Sequence, residues 1–103
     1  MSAKLGIVTI AGKQYNVIMT SGIDSFKHWF TPFTINAYKI QGVYLKLYFN
    51  KITTKDMDFS IDIIFLDKNH NVLKREYSVK PEMSVKAPKH AKYALELLPD
   101  ISI

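Results

Sequence analysis

The chain has 103 residues, of which 48% are hydrophobic and 13% aromatic, with a formal charge of +5 and no cysteine. That is enough apolar material for one packed domain, residues 1–103, and the missing cysteine excludes disulfides, thiolate metal sites and cysteine nucleophiles. No apolar stretch approaches the ~20 residues of a membrane helix, and residues 1–4 run into structure without a secretory leader's apolar core, so a cytoplasmic protein outside the membrane is expected.

The first element is a strand over Leu5–Ile10. Ala11-Gly12 makes a tight turn into a second strand, Gln14–Met19, in which Tyr15, Val17 and Met19 share a face. The period then changes. Ile23, Phe26 and Phe30 fall at helical spacing with Trp29 nearby, Asp24 suits the first turn, and Pro32 is expected to stop the helix. Strands resume at Gly42. Val43–Phe49 predicts a strand with Tyr44, Lys46 and Tyr48 toward solvent and Val43, Leu45, Leu47 and Phe49 toward the core. Residues 52–56 read as a loop, and Phe59–Leu66 as the most apolar strand. Lys68–Asn71 reads as a turn, Val72–Val79 as a partly exposed strand, and the span between Pro81 and Pro88 as irregular. Tyr93–Leu97 closes the chain, with Tyr93, Leu95 and Leu97 on one face. The class is mostly β (α+β): a compact antiparallel or mixed sheet, or a partial barrel, with one or two short helices.

The run Met57-Asp58-Phe59-Ser60-Ile61-Asp62-Ile63-Ile64-Phe65-Leu66-Asp67 resembles the signature of the family called domain of unknown function 192. Lys80-Pro81 and the closing Ala91-Lys92-Tyr93-Ala94-Leu95-Glu96-Leu97 follow at similar spacing. The likeness covers residues 57–97 well and reaches back loosely to the first hairpin. It implies a compact, mostly β fold and no particular activity. Asp58 and Ser60 depart from the basic residue and the proline usual in relatives. Relatives also continue beyond the equivalent of Leu98-Pro99-Asp100 through another strand, so a trimmed version, or one completed by a partner, is expected here.

Two carboxylates stand out. Asp62 sits inside an apolar strand, where a charge costs several kcal/mol unless paired or protonated, so backbone amides around Thr53–Asp56 are its expected partners. Asp67 falls on the opposite face, at a turn where aspartate commonly accepts backbone hydrogen bonds, so the two cannot act as one acid–base pair. A ligand pocket near Met57, Phe59 and Asp62 is the leading site expectation. It belongs to a non-catalytic domain that binds a protein or a small ligand.

The second reading is a basic protein associated with RNA or the ribosome, docking through Lys80, Lys86, Lys89 and Lys92. Against it, 13 of the 14 basic residues are lysine and only Arg75 offers a bidentate guanidinium. A solvated loop explains the same lysines, so nucleic acid is not the favoured partner. A small enzyme using Asp62 ranks lowest, for lack of a second catalytic group. His28, His70 and His90 lack the spacing of a metal site, and 4 glycines leave no phosphate-cradling loop, so no metal, cofactor or catalytic residue is assigned.

Overall fold

The computed structural model describes residues 3–20, 32–55, 57 and 59–99. The chain runs β1 (Ala3–Ile10), β2 (Lys13–Thr20), α1 (Pro32–Tyr38), β3 (Gly42–Lys46), β4 (Lys51–Thr53), β5 (Ile61–Leu66), β6 (Val72–Val79), β7 (Ser84–Lys86) and β8 (Tyr93–Leu97). Six strands form one mixed sheet in the order β1-β2-β3-β8-β5-β6, and β4 and β7 form a separate two-stranded sheet. The larger sheet is not closed into a barrel.

β1 and β2 form the expected hairpin, in register from Ala3↔Thr20 to Ile10↔Lys13. Its two-residue turn puts Ala11 at φ 51° and Gly12 at φ 81°, the left-handed pair that matches strand twist. β2 and β3 are parallel, so the chain between them must cross over the sheet. The expected helix over residues 21–30 lies outside the described residues. Pro32, expected to end a helix, opens one: in the first turn its missing N–H has no partner to lose.

The last strand among the described residues is a central one. β8 inserts between β3 and β5, antiparallel to both. Gly42 permits the close approach of β3, because a Cβ there would collide with the Glu96 carbonyl oxygen.

Both faces of the central strands are therefore covered. On one face Val43, Leu45, Ile61, Ile63, Phe65 and Ala94 pack with Ile52, Met57 and Ala87, under the β4–β7 sheet. On the other, Tyr44, Ile64, Leu66, Leu95 and Leu97 pack with Val8, Ile10, Tyr15 and Val17 of the hairpin. Residues three strands apart share this second cluster, so the sheet curls around it. These contacts overturn two expectations. Tyr44 is buried, because the curled hairpin covers the face that alternation assigns to solvent. Residues 51–53 form β4, because the segment between the two prolines supplies β7 as its partner. Among the described residues no helix is long and apolar enough to cross a membrane.

Candidate binding groove

β3 ends at Lys46, and the chain then bends through Tyr48, Phe49 and Asn50. Two backbone bonds tie this bend to the segment before β8: Leu47 N–H donates to the Lys92 carbonyl at 2.8 Å, and Ala87 N–H to the Asn50 carbonyl at 2.7 Å. The Lys92 amide in turn reaches the Leu66 carbonyl at 2.8 Å, so both walls hang on the central strands. Between them lies an open groove of about 620 Å³. Its floor is apolar, with Ala87 buried and Leu47 and Ala91 packed against the first core.

The rim carries the chemistry. Tyr48 and Phe49 stand 56% and 60% exposed, unusual for residues of this size in a chain with two closed cores. Lys86, Lys89 and Lys92 line the same groove, joined by His90 and by Lys74 from β6, and among the described residues no carboxylate does. Lys74 pairs with Glu76 at 2.7 Å. Lys46 places its ammonium 5.8 Å from the Tyr48 ring centre, a cation–π distance that helps hold the ring upright. Lys80 does not join this group. It lies at the far end of the loop, where its carbonyl accepts from buried Thr54 at 2.7 Å.

The expected pocket of Met57, Phe59 and Asp62 does not assemble. Met57 and Phe59 pack into the core beneath the β4–β7 sheet. Asp62 alternates with Ile61 and Ile63 and so points to the opposite face of β5. One of its partners comes from β6. Two residues of β6, Tyr77 and Ser78, stand opposite Asp62 in a bulge, and Ser78 takes a left-handed φ of 52°. The bulge turns the Ser78 amide out of the ladder, and Asp62 Oδ1 accepts it at 2.7 Å.

Asp67 accepts the amides of Asn69 and Asn71 at 2.8 and 2.9 Å. Bonds from the Asn71 backbone and side chain, then from Asn69, hold its carboxyl below the usual range. This turn sets His70 edge-on to the stacked rings of Tyr44 and Tyr93, with Tyr44 Oη 2.5 Å from Nε2. Burial, helped by neighbouring Tyr93, pushes the Tyr44 phenol up to about 12. The phenol therefore keeps its proton at neutral pH and shares a hydrogen bond with Nε2. Tyr44, His70 and Tyr93 do not line the groove between Tyr48 and Lys92. Nor do three or more metal-ligating side chains converge anywhere among the described residues.

Sequence reasoning missed one residue of consequence. Glu96 is fully buried at the centre of the sheet, between Val43 of β3 and Ile63 of β5, and among the described residues neither carboxyl oxygen has a hydrogen-bond partner. Desolvation pushes it up to about 8. The signal was present: Glu96 lies between Leu95 and Leu97 as Asp62 lies between Ile61 and Ile63. Only the position of β8 inside the sheet shows that both of its faces are covered. Comparison of the chain with family models, curated proteins and solved structures found no match.

Proposed function

We propose that this protein is a non-catalytic binding domain whose groove takes a single-stranded nucleic acid. One observation carries the reading: two exposed aromatic rings converge on a single groove with Lys86, Lys89, Lys92 and the Glu76-paired Lys74, and among the described residues no carboxylate lines it. Rings on which bases stack, beside cations that track phosphates, are the two parts of a sequence-tolerant single-strand site. The scarcity of arginine bears on specificity more than on binding. Bidentate reading of bases needs guanidinium groups, whereas lysine neutralises backbone phosphate as a point charge. The expected ligand is therefore a strand read by charge and stacking, with weak sequence preference. A cytoplasmic setting belongs to the same proposal. The likeness to domain of unknown function 192 remains a proposal resting on residues 57–97, and it adds no activity.

The test is fluorescence anisotropy of a labelled oligo-uridine at about 50 mM salt, where phosphate contacts are strongest. Tyr48→Ala and Phe49→Ala should each weaken binding by roughly 1–3 kcal/mol, the usual cost of one lost stacking partner. Lys89→Gln should leave the fold intact and lower the salt slope by roughly 0.7, as one phosphate contact on a single strand does. Absence of binding in low salt, or aromatic variants that bind like wild type, would refute the proposal.

A further inference from the structure

Among the described residues the large sheet ends in two edge strands, β1 and β6, and the sequence treats them differently. β6 is guarded. Lys74, Arg75 and Glu76 place charge at consecutive positions, and the bulge at Tyr77–Ser78 distorts its far end. Charges and bulges are how edge strands avoid recruiting further strands. β1 has neither guard. It runs eight residues in unbroken register with β2, contains no proline, and carries one charge, Lys4. Its outer face shows Leu5 at 58% and Ile7 at 63% exposure. With Tyr38 at the end of α1 and Ile40 just after it they line a shallow groove of about 380 Å³, in which none of the described lining residues is charged.

We propose that β1 is a self-association edge, where a second copy of this chain pairs antiparallel about a two-fold axis at Gly6. The strand's own pattern selects that occupant. With the axis there, Leu5 of each copy faces Ile7 of the other. The four aliphatic side chains then gather on one face, as cross-strand pairs in an isologous contact do. Lys4 falls opposite Val8 of the second copy, so the two ammonium groups never meet. Shifting the axis by one residue, onto Ile7, sets Leu5 opposite Thr9 and breaks the apolar pairing. A foreign strand would find no charge pattern in β1 to read beyond Lys4, whereas a second copy matches it in hydrogen bonding and in apolar spacing alike.

Sedimentation and cysteine trapping test this together, and the absence of native cysteine keeps the trapping clean. Wild type should show a reversible monomer–dimer equilibrium, which Ile7→Lys shifts to monomer while circular dichroism stays unchanged, since Ile7 is exposed. Mixed Leu5→Cys and Ile7→Cys proteins should cross-link to each other in clear excess over like pairs. In this register, like pairs are displaced by two residues, beyond the ~7 Å Cα separation that a disulfide spans. A wild type that stays monomeric at about 200 µM, where a dimer of ~0.1 mM dissociation constant would be well populated, overturns the proposal. So does a dimer indifferent to Ile7→Lys, or cross-linking that favours like pairs.

Discussion

Glu96 should make the stability of this protein fall as pH rises through neutrality, the reverse of the usual behaviour of a carboxylate. Its side chain stands between Val43 and Ile63 on the face covered by the β4–β7 sheet, and neither oxygen receives a hydrogen bond from the described residues. Burial without a partner disfavours the charged form, which raises the carboxyl from 4.5 to about 8. A group whose folded value is raised binds its proton more tightly in the native state. Its contribution is therefore fully favourable below 4.5 and is lost as pH climbs to about 8. At about 1.4 kcal/mol per pH unit, that interval corresponds to about 5 kcal/mol. This is an upper figure, because local opening that wets the carboxylate would cap it. Even half of it is a large part of the ~5–15 kcal/mol that holds a domain of this kind together.

Urea denaturation followed by circular dichroism at several pH values between 5 and 8 measures the effect. The difference between wild type and Glu96→Gln isolates it, because every other titrating group is common to both. Wild type should lose stability steadily across the window while Glu96→Gln does not share that slope. Glu96→Leu, which removes the unpaired oxygens, should be flat and more stable than wild type above pH 7. Parallel curves for wild type and Glu96→Gln would refute the reasoning, since they would mean that the carboxylate finds solvent or a donor in the native state.

Two further outcomes follow from the same accounting of buried polar groups. Asp62→Ala strands the Ser78 amide at the β6 bulge and should cost about 1–3 kcal/mol, while Asp62→Asn keeps an acceptor and should cost less. Equal stability of all three proteins in urea would show that the bulge does not need its carboxylate. Tyr44 holds its proton to about 12, so its contribution persists below pH 10 and disappears as pH rises toward 12. Ultraviolet titration of phenolate should show one late tyrosine that is absent from Tyr44→Phe.

Local elements were legible from sequence where local chemistry decides them. The hairpin, the β5 run and the Asp67 turn follow from alternation, a two-residue turn and an aspartate preceding it. Errors cluster where a distant segment decides the outcome. Tyr44 reads as solvent-facing because nothing near it reveals that β1 and β2 curl over its face. Residues 51–53 read as loop because β7, which pairs them, lies some thirty residues later behind a proline. Asp62 and Glu96 are alike in sequence, each a carboxylate between aliphatic residues. They differ because β6 offers a bulged amide to the first and the flanking strands offer the second only Val43 and Ile63. Of the expected docking patch, Lys86, Lys89 and Lys92 line one groove while Lys80 lies apart, and Tyr48, Phe49 and Lys74 come from elements that only the fold brings beside them.

The placement of the groove argues that binding and stability can be separated in this protein. Its walls are hydrogen-bonded to Leu66 and Lys92 beside the central strands, yet Tyr48, Phe49 and the lysines project outward from both cores. Substituting them removes no buried contact, so such changes should fall within the ±0.5 kcal/mol typical of surface positions. Glu96 is the opposite case, a buried group at the centre of the sheet that lies outside the groove lining and depresses stability near neutral pH. Replacing it by leucine should therefore raise the melting temperature and leave oligonucleotide affinity unchanged. If that replacement changed affinity as well, the rim would have to be coupled to the central strands through the two backbone bonds that suspend it.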